Sequence, residues 1–121
     1  MTERICFTLS LDPSLIDEYV QAHRAVWPDM LAAIERSGRR NYSIFIDEDG
    51  TVVGYYETDD DEASARILSL DPVAAKWEAQ SARFFVGLDG RPDEGARQLR
   101  PVFNLEQQLH EQQLNELGER S

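Results

Sequence analysis

The segment NYSIFIDEDGTVVGYYE, Asn41 to Glu57, decides the fold. Its two halves, Asn41–Ile46 and Thr51–Glu57, are rich in β-branched and aromatic residues, which suit a pleated, half-buried surface. Asp47-Glu48-Asp49-Gly50 separates them. Acidic side chains that bond their own backbone and a glycine able to take positive φ are turn chemistry. The segment therefore predicts an antiparallel hairpin. Both parities carry apolar residues: Tyr42, Ile44 and Ile46 on one, Phe45 on the other, then Val52, Val53, Tyr55 and Tyr56. Helices on one face leave a second apolar face, to be covered by another chain or used as a ligand pocket. Alternation puts Tyr42 on the face of Ile44 and Ile46. The pattern does not say whether helices cover that face.

Working outward, Ile5, Phe7, Leu9 and Leu11 alternate with Cys6, Thr8 and Ser10, a strand with one buried face. Asp12-Pro13 ends it and opens a helix, Asp as cap and Pro in the first turn. That helix carries Leu15, Ile16, Tyr19, Val20, His23, Val26 and Trp27, breaks or kinks at Pro28, and resumes through Met30, Leu31 and Ile34 to Ser37-Gly38. Beyond the hairpin, Asp59-Asp60-Asp61-Glu62 suits a helix N-terminus. Asp71-Pro72 repeats the cap-and-proline signal ahead of a helix with Val73, Trp77, Ala82, Phe84 and Phe85. Residues 87–95 read as loop, and Leu99–Leu105, with Val102 and Phe103, as a last strand. The order strand, helix, strand, strand, helix, strand is that of an α+β, ferredoxin-like split βαβ fold with a four-stranded antiparallel sheet. It occupies residues 1–106 as one domain. Residues 107–121 form a polar tail, open to two readings: a weakly amphipathic helix or a frayed end.

The chain has 121 residues, enough for one core and too few for two. Asp and Glu number 23 against 12 Lys and Arg, a net charge of −11 that repels phosphate backbones and anionic lipid. Nucleic-acid binding and membrane docking are thus poor readings. No apolar run is long enough to span a bilayer, and Met1-Thr2-Glu3-Arg4 does not look like a signal peptide. The single cysteine, Cys6, has no internal partner, and the cytoplasm is the expected compartment.

Tyr19, His23 and Trp27 recur every four residues and line one stripe of their helix. Histidine is the side chain that gives and takes protons near neutral pH. The stripe is either a reactive wall or a core face with a satisfied histidine. Trp77 alone reads as a core residue, and His110, in the tail, as solvated. Two distant histidines make no zinc site, Asp59–Glu62 lack the spacing of a calcium loop, and no metal is expected. Neither a G-x-S-x-G elbow nor a phosphate-binding glycine loop is present.

The string Glu18-Tyr19-x-x-x-His23-x-x-x-Trp27-Pro28, followed by Asn41-Tyr42-Ser43-Ile44-Phe45, resembles the L-rhamnose mutarotase family. Lys76-Trp77 and Val102-Phe103-Asn104-Leu105 fall in the same order, so the likeness spans about residues 3 to 106. It implies a dimeric α/β barrel of two facing ferredoxin-like sheets. It further implies a cofactor-free isomerase exchanging the α and β anomers of L-rhamnose or a related deoxy sugar. By that resemblance His23 is the proton donor. Tyr19 and Tyr42 contact the sugar, with an aromatic pair in the second helical region. Here Trp77 keeps its place, but Glu78 stands where a second Trp is often seen. That departure alters the sugar preference or sets an acid beside the substrate. Trp27 is a further packing candidate.

The chemistry suits those residues in its own right. Opening a pyranose takes one proton from the anomeric hydroxyl and delivers one to the ring oxygen, which is general acid–base work. Two rivals share the scaffold: a cofactorless or haem-linked monooxygenase of the dimeric barrel type, and a non-catalytic dimeric ligand-binding module. Fold alone does not separate them.

Overall fold

The computed structural model describes residues 2–88 and 90–120. Four strands form one antiparallel sheet in the order β2-β3-β1-β4. They are β1 (Glu3–Ser10), β2 (Arg40–Ile46), β3 (Thr51–Thr58) and β4 (Arg97–Leu99). The helices are α1 (Ile16–Arg24), α2 (Pro28–Arg36), α3 (Asp61–Leu70), α4 (Pro72–Ser81), the single turn α5 (Pro92–Gly95) and α6 (Leu105–Arg120). The fold is the expected ferredoxin-like one, with both helical crossovers broken in two at a proline.

Each break has a local cause. Asp12 accepts a bond from the backbone N–H of Ser14 at 3.0 Å and opens a short 3-10 turn ahead of α1. Pro28 is the first residue of α2, and Trp27 before it is extended, with ψ 133°. Asp60 caps α3 through Ala63 N–H at 3.0 Å, and Asp71 caps α4 through Val73 N–H at 2.9 Å.

The β2–β3 hairpin closes where expected. Gly50 N–H donates to Asp47 O at 2.9 Å, and Gly50 has φ +96°. A Cβ there would meet Leu11 O at 2.4 Å, so glycine also admits the residue just past β1, Leu11, whose N–H donates to Gly50 O. Along β3, Val52, Gly54, Tyr56 and Thr58 are buried and alternate with half-buried residues. In register with them, Ile5, Phe7 and Leu9 of β1 and Ile44 and Ile46 of β2 share the helix-covered face. Two clusters fill that layer: Leu11, Tyr19, Val52 and Phe84 at one end, Met30, Ala33, Leu68 and Ala74 at the other.

The last strand departs from expectation. β4 pairs with β1 only through Arg97, Gln98 and Leu99, not over 99–105. Pro101 has no N–H for a ladder. Val102 and Phe103, 86% and 68% exposed, lie on no partner among the described residues. Residues 87–95 are not wholly loop, since Pro92–Gly95 make the turn α5. The tail is helical as α6. Its leucines stay exposed, and the bond from Arg4 to Gln107 at 2.8 Å links it to β1.

Candidate active site

A cavity of about 400 Å³ lies between the helix-covered sheet face and the helices, a size typical of small-molecule sites. Phe7, Leu9, Tyr42 and Ile44 supply its floor from the sheet. Helix α1 contributes Tyr19 and His23, and the link after it Val26; α4 contributes Trp77, Glu78 and Ser81. Arg39, ahead of β2, and Pro92 and Asp93 of α5 complete the polar side, while Met30, Leu31, Ile34 and Leu68 form an apolar end.

Five expected site residues therefore meet here: His23, Tyr19, Tyr42, Trp77 and Glu78. Trp27 does not line the cavity. It packs edge-on against Trp77, ring centroids 5.0 Å apart, and so fixes the Trp77 ring from behind. The α1 stripe is both a core face and a cavity wall. Tyr19 is buried against Phe84 and Phe85, while His23 lies 4.1 Å from the Tyr19 ring and 5.6 Å from Trp77.

The Tyr19 carbonyl sets the histidine tautomer. His23 Nδ1 is 2.9 Å from Tyr19 O. A carbonyl can only accept, so Nδ1 carries the proton, and the lone pair of the neutral ring is on Nε2. Nε2 has no hydrogen-bond partner among the described residues. Burial lowers the His23 pKa, outweighing the bond to Tyr19 O, and favours the neutral ring. Burial also pushes the Tyr19 phenol up to about 12 and raises that of Tyr42, so both are neutral hydroxyls at ordinary pH. Neither hydroxyl has a hydrogen-bond partner among the described residues.

A backbone irregularity positions Tyr42. The β2–β3 register shifts between Arg40 and Ser43, and Asn41 there has φ +50°, a left-handed conformation that asparagine tolerates. Asn41 Nδ2 donates to Glu57 Oε2 at 2.9 Å and holds the bulge to β3. Tyr42 is thereby stacked on Tyr56, centroids 5.1 Å apart, on the helix-covered face that parity alone left open.

Reading the sequence missed a chain of charges along the polar wall. Glu78 is buried, and both its oxygens are engaged. Oε1 accepts from Arg91 Nε at 3.1 Å and Nη2 at 2.5 Å, and Oε2 from the backbone N–H of Asp93 at 2.9 Å. Arg91 Nη1 donates onward to Ser69 O at 2.9 Å. Asp93 in turn takes both terminal nitrogens of Arg39, at 2.6 and 3.2 Å. Arg39 Nε donates to Ser64 Oγ at 3.1 Å, and the guanidinium lies 4.2 Å over the Tyr56 ring. Burial works against the Arg39 charge, but Asp93 more than offsets it and holds its pKa above the usual value. These partners stand 13 to 54 residues apart, and no local motif announces them.

Among the described residues, no group of three or more His, Cys, Asp or Glu is placed to hold a metal, and no helix is long and apolar enough to cross a membrane.

Comparison with known proteins adds to this geometry. A family model for L-rhamnose mutarotase matches residues 4–105, so α6 falls almost wholly outside the match. An L-rhamnose mutarotase of Burkholderia cenocepacia is 33% identical over 105 residues, 86% of this chain and 99% of that protein. One from Acidiphilium cryptum is 31% identical over 104 residues, 85% and 98% of the two chains. Among solved structures, the L-rhamnose mutarotase of Formosa agariphila superposes with a TM-score of 0.70 at 25% identity, covering 85% of this chain and 98% of its own. A Methanosarcina mazei protein, TM-score 0.57 at 9% identity, covering 84% of this chain and 94% of its own, shares the fold alone.

Proposed function

The chain belongs to the L-rhamnose mutarotase family, isomerases of sugar anomers, and from that premise we propose that His23 carries the proton transfers of anomer exchange in the cavity beneath α1. The observation that supports this most directly is the fixed tautomer. With Nδ1–H tied to Tyr19 O, the neutral ring offers Nε2 as a base. Nε2 takes the proton of the anomeric hydroxyl, the C1–O1 bond becomes a carbonyl, and the C1–ring oxygen bond breaks. The ring oxygen gains its proton from a tyrosine hydroxyl of the same cavity. The aldehyde group rotates. The ring oxygen returns its proton to the tyrosinate as it attacks the other face, while the imidazolium protonates the carbonyl oxygen. Protons and bonds balance over the cycle. His23 is base in opening and donor in closing, which accommodates the donor role implied by resemblance.

The remaining groups bind and orient. Trp77, braced by Trp27, offers a flat apolar face to the sugar ring. Of the two cavity tyrosines, Tyr19 and Tyr42, one exchanges the ring-oxygen proton, and the other donates a hydrogen bond to a sugar oxygen. One positioned acid–base group contributes roughly 10²–10⁴-fold.

A homodimer is part of the proposal. The sheet face away from the helices exposes Phe45 (66%), and Leu99, Val102 and Phe103 lie exposed beyond it, a patch suited to a second copy of the chain. The lone Cys6 thiol suits a reducing compartment, and the cytoplasm is proposed.

Saturation-transfer NMR on L-rhamnose tests the mechanism. Enzyme should transfer saturation between anomeric protons at rates far above buffer. His23→Ala should remove that excess while the protein stays folded by circular dichroism. Exchange at the parental rate in the variant removes His23 from the mechanism.

A further inference from the structure

Glu78, in the position where the resemblance leads one to expect a second tryptophan, already has both carboxylate oxygens bonded within the protein. Its oxygens hold Arg91 and the Asp93 N–H, so it fixes the first turn of α5 against the end of α4. That turn brings a second carboxylate to the cavity wall. Asp93 lines the cavity, and its side chain stays 24% exposed although Arg39, at 3% exposure, is bonded to both of its oxygens. A carboxylate has about four acceptor positions. Arg39 takes two, and the others remain for donors from the cavity side. Sugar hydroxyls are such donors, and bonds to an ionised acceptor are the stronger kind.

We propose that Asp93 is a further substrate-binding residue, its carboxylate accepting a hydrogen bond from a ring hydroxyl of the sugar, with Glu78 as the positioning residue that sets it there through Arg91. The inference rests on the sugar-isomerase reading above and adds a specificity element to it. At this part of the wall Glu78 of α4 and Asp93 of α5, fifteen residues apart in sequence, set carboxylates and their arginine partners in place of apolar surface. The apolar end of the cavity, with Met30 and Leu68, is left for the deoxy methyl group.

The test is anomer exchange and binding for L-rhamnose and for its analogues lacking the 2-, 3- or 4-hydroxyl, with the parent, Asp93→Asn and Glu78→Gln. Loss of a hydrogen bond to a charged group corresponds to roughly ten- to a hundred-fold in affinity. Asp93→Asn should raise KM for L-rhamnose by about that factor with kcat little changed. For one analogue, the one missing the hydroxyl that Asp93 binds, parent and variant should have equal KM. Glu78→Gln should show the same selectivity to a smaller degree, and it carries the test if Asp93→Asn does not fold. Equal losses across L-rhamnose and all three analogues, or an unchanged KM, overturn the assignment of Asp93 while leaving the isomerase reading intact. A parent enzyme that accelerates exchange of none of these sugars overturns both.

Discussion

Gly54→Ala tests whether the cavity floor is built as described. Gly54 lies opposite Phe7 in the β1–β3 register. A Cβ at residue 54 would sit 2.1 Å from Phe7 Cζ and 2.5 and 2.6 Å from the two Cε atoms. Carbon atoms pack at about 3.5–4.0 Å, so the ring must retreat by more than about 1 Å. Tyr42 and Tyr56 flank it, with centroids 6.2 and 6.1 Å away, and the open direction is into the cavity. Two effects oppose each other. Replacing glycine by alanine within a strand is worth about 0.5–1 kcal/mol in stability, whereas overpacking costs about 1–3 kcal/mol. Overpacking wins, because three ring atoms of a buried side chain lie inside contact distance. At roughly 4–8 °C per kcal/mol for a domain near this size, the melting temperature should fall by several degrees and by up to about 20 °C. KM for L-rhamnose should rise more than kcat falls, since the ring now takes sugar space. Phe7→Leu in the same background should recover part of both losses, less destabilising together than the two changes summed. Circular dichroism melts and saturation-transfer NMR supply the readouts. A Gly54→Ala protein that melts at or above the parent temperature refutes the argument, because glycine there would then have no packing reason.

Exchange should depend on pH with the sign set by His23. Its folded pKa is lowered by burial, so the neutral base persists below the usual value of about 6.5. The rate should be level at neutral pH and fall in acid, with its inflection below that value. A rate that climbs as pH falls through the same range would mean that the charged ring begins the reaction. Stability has the same sign: between the folded pKa and that of the unfolded chain, the unfolded state binds more protons and stability declines as pH drops. At the bulge, Asn41→Ala should raise KM and cost about 1 kcal/mol, since alanine is strained at positive φ. Asn41→Gly should retain more stability than Asn41→Ala, and its KM measures what the bond to Glu57 adds. Equal KM for both variants and the parent would show that the bulge does not position Tyr42.

Much of the scaffold was legible because its signals are local. Asp12-Pro13 and Asp71-Pro72 mark helix starts through one side chain and one missing N–H, and both starts are found. The hairpin closes on a glycine at positive φ. Legibility failed where a partner is distant. Val102 and Phe103 have strand-forming side chains, but a strand needs a neighbour, and β1 accepts only Arg97–Leu99. The face carrying Tyr42 required knowing which side the helices take, and so a tertiary arrangement. Arg39, Asp93 and Arg91 were missed altogether. Single charged residues far apart in sequence look like solvated surface until packing brings them together.

The charge chain also bears on why a glutamate is tolerated beside Trp77 on the cavity wall. An unpaired buried carboxylate is costly, and a buried ion pair is weak evidence for stability, since an apolar pair of equal volume is often as good. Stability alone does not account for Glu78. What the pair adds is direction: Glu78 binds Arg91 and the Asp93 amide with fixed geometry, and Asp93 grips Arg39 with two parallel bonds. A tryptophan at residue 78 would fill volume but could not accept the Asp93 N–H. Glu78 and Arg91 are therefore one unit. Changing Glu78 alone strands a guanidinium that is 28% exposed, whereas changing both to apolar residues spares the charge penalty and still loses the position of Asp93. The consequence for the site is a division of labour. On the proposed mechanism, α1 and the Tyr19 carbonyl orient the proton-transfer group, and the ion pairs of α4, α5 and the approach to β2 hold the groups proposed to bind the sugar. Substitutions on the first side should act on kcat, and those on the second on KM.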